Sequence, residues 1–230
     1  HSCWTALPIF IIIVTFCSSG SFAHIGHYAK FNKIEMEIFR NGELIGYNYY
    51  FFSRNGDETI VTNQIKFSVK LLGTTVFRVE GYGEEKYFKD QLISFNSKTY
   101  QNDKEKFVNL VFNKNTNEFD IKGSSYNGKA SKDNIIGNWW SHKILQSNSQ
   151  ISPMSGSIKD QIVTFIGKEK ITLYDKIYEV DRFTLKSKNM SLQEDKRLDF
   201  NIWYDRRNYS ILKVSYSRMG NWEYRLKNIE

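Results

Sequence analysis

Cysteine is nearly missing from this chain of 230 residues, and the two it has, Cys3 and Cys17, sit close to its start. Beyond them no disulfide, thiol nucleophile or zinc-thiolate site can form. Proline is almost as scarce, at 2 residues, so strand ladders can run uninterrupted. Histidine numbers 4, and there is no H-E-x-x-H, no G-x-S-x-G elbow and no glycine-rich phosphate loop. Charge of one sign is not gathered into blocks. The 32 Lys and Arg and 25 Asp and Glu give +7, but they are interspersed, so no nucleic-acid arm is expected.

What is there is a core. The chain is 40% hydrophobic and 16% aromatic, which excludes disordered and collagen-like classes, and its length suits one domain. Residues 7–17 (LPIFIIIVTFC) form an apolar run too short to span a bilayer and of the length of a signal-peptide hydrophobic region. Ser21 and Ala23 then supply small residues for cleavage before His24. The expected organisation is a signal peptide over 1–23, a lead-in over 24–33 and a single antiparallel β domain over 34–230. The expected location is periplasmic or otherwise exported. A lipoprotein signal ending at Cys17 is disfavoured because Phe16 stands where a small residue is needed.

From Ile34 onward the hydrophobic period is two. Ile65, Phe67, Val69 and Leu71 alternate with Gln64, Lys66, Ser68 and Lys70, and Leu198, Phe200, Ile202 and Tyr204 alternate with Asp199 and Asn201. Turn signals such as Asn41-Gly42, Asn55-Gly56-Asp57, Gly73 and Gly220-Asn221 separate about twelve such runs. Residues 131–146 (SKDNIIGNWWSHKILQ) break the pattern: Ile135, Ile136, Trp139, Trp140 and Ile144 stand at helical spacing behind Ser131, Asp133 and Asn134 as caps. This predicts a short amphipathic helix near 132–146, followed by a polar loop over 147–157. A sheet of this many strands must curl to hide one apolar face. The expected fold is therefore mainly β, a strongly curved antiparallel meander sheet, half-barrel or barrel-like, with one short helix crossing the concave face. In that helix Trp139 and Trp140 either plug the core or form a lid over a ligand cavity.

Chemistry is hard to find. The carboxylates fall on polar alternation positions or in turns, and residues 82–87 (YGEEKY) read as charges on the solvent face of a strand. No catalytic residue, metal site or cofactor is assigned. Cleavage before His24 would expose an amine and an imidazole for Cu(II), with His27 or His142 as a further ligand, but no histidine stands third, as a square-planar amino-terminal site requires. His142, beside the tryptophans, reads as a structural residue.

Asn41-Gly42 leading to Ile45-Gly46-Tyr47, the strand ending Val69-Lys70-Leu71-Leu72-Gly73, the Trp139-Trp140 pair, and Trp203-Tyr204-Asp205 followed by Ile211-Leu212-Lys213 complete the pattern. In these features the chain resembles an uncharacterised family of exported bacterial, proteobacterial, proteins, from about residue 34 to 226. More remotely it is similar at fold level to the half-barrels of periplasmic lipoprotein-localisation carriers. That likeness implies a concave face able to receive acyl chains, with Trp139, Trp140 and Trp203 as ligand-binding candidates. The expected function is thus a non-catalytic binding or carrier module for a hydrophobic or lipid-derived ligand. A partner role in envelope assembly, contact with a membrane surface, and copper binding through His24 are the alternatives.

Overall fold

The computed structural model describes residues 31–230; the signal segment over 1–23, His24 and His27 lie outside the described residues. Fifteen strands form one sheet rather than about twelve. The first arm is a meander of hairpins: β1 (Lys33–Arg40), β2 (Glu43–Asn55), β3 (Glu58–Leu71), β4 (Thr74–Phe88), β5 (Gln91–Gln101), β6 (Lys104–Asn113), β7 (Glu118–Gly123) and β8 (Asn127–Ser131). The second arm holds β9 (Ile135–Ile136), β10 (Ser149–Ile151), β11 (Ile158–Leu173), β12 (Lys176–Ser187), β13 (Asp199–Asp205), β14 (Ser210–Ser217) and β15 (Asn221–Ile229). Every neighbouring pair is antiparallel except β9 with β10. The arms join where β1 pairs with β15, the first and last of the described strands, leaving β8 and β9 as the two edges.

The sheet curls without closing. Phe67 on β3 and Trp222 on β15 are separated by two strands, yet their rings meet at 5.4 Å, which a flat sheet would not allow. Loop 152–157 of the second arm bridges the gap between the edges: Ser97 Oγ donates to the Pro153 carbonyl at 2.6 Å, and the Ser125 amide donates to the Ser155 carbonyl at 3.0 Å. A Cβ on Gly123 would lie 2.4 Å from the Ser155 oxygen, so only glycine permits this approach. Inward positions of both arms, among them Met36, Ile38, Val61, Leu110, Phe119, Leu185, Ile202 and Val214, make one continuous core.

Connections alternate between two ends. The turns after β1, β3, β5 and β14, with segments 152–157 and 188–198, form a rim; the turns after β2, β4, β11 and β13 form a base. The predicted helix over 132–146 is not formed. Ile135 and Ile136 are instead spent on a parallel bridge to Gln150 and Ile151, and only His142–Leu145 makes a 3₁₀ turn, capped by the Ser141 hydroxyl. Segment 137–146 still crosses the interior at the base. The predicted loop over 147–157 contains β10, and a second 3₁₀ turn, Glu194–Lys196, stands at the rim.

Candidate functional site: an open-ended aromatic cavity

The inner face encloses a cavity of about 730 Å³, within the roughly 300–1,000 Å³ common for ligand sites. Its floor is β4, where Val79, Gly81, Gly83 and Glu85 share one face of the strand. The glycines create the space. A Cβ on Gly83 would come within 3.3 Å of the Phe95 ring, and one on Gly81 within 3.0 Å of Ile65 and Thr99, so a larger side chain at either position would occupy the cavity or push its wall.

A chain of aromatic contacts runs the length of the wall. Trp139 meets Phe200 at 5.1 Å, Phe200 meets Tyr216 at 5.3 Å, Tyr216 stacks on Trp222 at 5.7 Å, and Trp222 leads through Phe67 to Phe77. These rings present apolar faces of fixed geometry. The polar groups among them are largely spoken for. Tyr50 hydroxyl accepts from Asn48 Nδ2 at 2.9 Å and from the Trp139 amide at 3.1 Å, while Asn63 Nδ2 donates to Asn48 Oδ1 at 2.6 Å. Burial pushes the Tyr50 phenol well above its ordinary range, so it stays protonated.

At the base the cavity ends on Glu85, which is 2% exposed. Its Oε2 accepts from Asn138 Nδ2 at 2.6 Å and Trp140 Nε1 at 2.7 Å, and its Oε1 accepts from the Tyr87 hydroxyl at 2.6 Å. Burial pushes the carboxyl up to about 7, outweighing these three donors, each of which pulls it down. Glu85 therefore fastens the crossing segment 137–140 to β4. Among the described residues it is the sole carboxylate lining the cavity, and its closest partners are hydrogen-bond donors.

The rim end is different in kind. Arg40, Lys159 and Arg218 line the cavity there, beside Val76 and the almost fully exposed Met219. Leu72, 98% exposed, caps the neighbouring β3–β4 turn.

Of the three sequence-predicted tryptophans, the structure brings only Trp139 to the cavity wall. Trp140 lies behind it, edge-on to Phe52 at 5.5 Å and Tyr87 at 6.0 Å. Trp203 is on the opposite face of β13 from Ile202, where its indole donates to Glu169 at 2.9 Å beneath Lys213 and Arg182. His142 is buried in the base between Tyr204 and Tyr209. Glu85 is the residue that sequence reasoning missed: instead of facing solvent with its neighbours in the YGEEKY tract, it shares the inward parity of Val79, Gly81 and Gly83. Among the described residues no group of three or more His, Cys, Asp and Glu could hold a metal ion, and no helix is long and apolar enough to cross a membrane.

The architecture has a solved counterpart. A β-barrel-like protein of a domain of unknown function (DUF1849) from Brucella abortus superimposes with a TM-score of 0.58 at 10% identity, covering 86% of this chain and 96% of that one. A Bacteroides fragilis protein described as exported, with a YmcC-like fold, aligns with a TM-score of 0.33 at 9% identity over 86% of this chain and 94% of that one. No curated protein matches in sequence. At family level the match is extensive, running from residue 36 to residue 227, nearly the whole β domain, and on it the chain belongs to the family described as domain of unknown function (DUF6134).

Proposed function

We propose that this protein is an exported, non-catalytic binding or carrier module whose barrel-like sheet takes up a hydrophobic or lipid-derived molecule. The observation that carries this reading is the cavity of about 730 Å³, floored by glycine and walled by a continuous run of aromatic rings. An interior built only for stability would be filled, since protein cores pack to the density of organic crystals. The free edges support binding over an assembly role. β8 has five residues and β9 two, too short to template a long strand from another chain.

The test is native mass spectrometry of the protein purified from its own envelope, followed by organic extraction, with titration of the uncharged fluorophore N-phenyl-1-naphthylamine into the extracted protein. A stoichiometric apolar molecule, and saturable fluorophore binding after its removal, is the expected result. A bare mass together with no saturable fluorophore binding would overturn the reading.

A further inference from the structure

The cavity is asymmetric in charge as well as in shape. Apart from the buried Glu85 at the base, its charged lining consists of Arg40, Lys159 and Arg218, all cationic and all at the rim end. None of the three lies within ion-pair distance of a carboxylate among the described residues, and residues 1–30 contain no Asp or Glu. They are instead braced on backbone oxygens. Arg40 donates to the Met219 carbonyl, Lys159 to that of Lys196 at 3.0 Å, and Arg218 to those of Glu194 and Arg197 at 2.8 and 3.1 Å. Such bonds orient a cation without neutralising it.

Lys159 and Arg218 also act on one another. Burial first, and then the Arg218 charge, lower the Lys159 ammonium from its ordinary value, with Lys106 adding to this and Asp195 opposing it. Half-buried, mutually repelling cations at an apolar opening are a cost to the empty protein that an anion would relieve. Their backbone braces keep the heads at the opening, so the relief is available only to an anion presented there.

Resting on the binding reading above, we propose that the ligand is an amphiphile with an anionic head, a carboxylate or a phosphate, and an aliphatic tail. The tail enters first and runs along Gly81 and Gly83 toward Trp139; the head stops at the rim between Arg40, Lys159 and Arg218. The six residue steps from Val79 to Glu85 give the tail a floor of about 20 Å at the rise of an extended strand. The Glu85 end contributes the opposite selection, because a carboxylate at the base repels an acidic head that enters the wrong way round.

Competition against N-phenyl-1-naphthylamine at pH 8 with three ligands sharing one tail, decanol, decanoate and decyl phosphate, tests this directly. A charge-assisted bond gives the acidic ligands an affinity about 10-fold or more above decanol. Lys159→Gln and Arg40→Gln should each remove most of the preference for the acidic ligands over decanol, with cooperative urea unfolding of each variant reporting that it folds. Tighter binding of decyl phosphate than decanoate would assign the head as phosphate, and the reverse as carboxylate. Equal affinities for all three, unchanged in both variants, would overturn the proposal and leave the apolar cavity standing. Failure of all three to compete while the fluorophore binds would overturn the aliphatic amphiphile itself. Failure of the fluorophore to bind would overturn the cavity reading beneath it.

Discussion

The base and the rim of this barrel-like sheet are made from the same hairpins but solve opposite problems. At the base, segment 137–146 is drawn inside and tied by polar bonds: Trp140 and Asn138 on Glu85, the Trp139 amide on Tyr50, and Gln161 Nε2 on the Ile144 carbonyl and on that of Ser147 just beyond. At the rim, apolar tips stand in solvent, and the cations of the lining rest on backbone carbonyls with no carboxylate partner. Polar bonds across the interior make one end a stopper, and cations without a counter-charge at an apolar opening make the other a mouth. Stability should therefore reside at the base and binding along the cavity toward the rim, a division that substitutions can break.

The largest effect is expected from Trp140→Ala, which empties the space between Phe52 and Tyr87 and removes one of the three donors to Glu85; it should cost about 4 kcal/mol in urea unfolding. A loss below about 1 kcal/mol would show that the stopper is dispensable.

Glu85 makes the next prediction, through pH. Its folded value of about 7 lies above the ordinary 4.5, so between these limits the folded protein holds the proton more tightly than the unfolded chain. The stability this contributes is complete below pH 4.5 and is lost as pH rises through 7, amounting to about 3 kcal/mol in all. Urea unfolding of the wild type and Glu85→Gln from pH 4 to 8 should show this slope only in the wild type; parallel curves would remove Glu85 from the account.

Gly83→Val probes the middle. Its branched side chain enters the cavity near Phe95 at a stability cost of about 1 kcal/mol, but it should weaken N-phenyl-1-naphthylamine binding about 10-fold. Unaltered binding would place the fluorophore elsewhere. Smallest of all, Leu72→Ser and Met219→Ser at the rim tips should change stability by less than about 0.5 kcal/mol, since both side chains are already in solvent.

Much of the sheet was legible because alternation survives wherever one face is buried. The run over 62–71 falls within β3, and Asn41-Gly42 and Gly73 make the turns they signal, with Asn41 and Leu72 both at φ 51° before their glycines. The segment over 131–146 misled because its apolar residues pack on several sides within the barrel, imitating a helical stripe. Its cap residues serve a local turn instead: the Ser131 hydroxyl accepts from the Asp133 amide and the Asn134 side chain donates to the Ser131 carbonyl. For Trp203 the parity was already written in the sequence, since a neighbour of Ile202 cannot share its face. Glu85 was hidden for the opposite reason. The inward face of β4 there is glycine, and a stretch without apolar side chains gives no sign of which carboxylate of Glu84-Glu85 points in.

The pairing of β1 with β15 has a consequence for how the molecule is made. Ile34 meets Ile229, so the first of the described strands waits for the last of them, and the middle of the sheet is completed after both arms have had the chance to form hairpins. A C-terminal truncation would thus remove a keystone rather than a fringe. Loss of β15 would bare two interior ladders, β1 and β14, in addition to the short natural edges, leaving a nascent or clipped chain most prone to aggregate at what is, in the finished protein, its best protected seam.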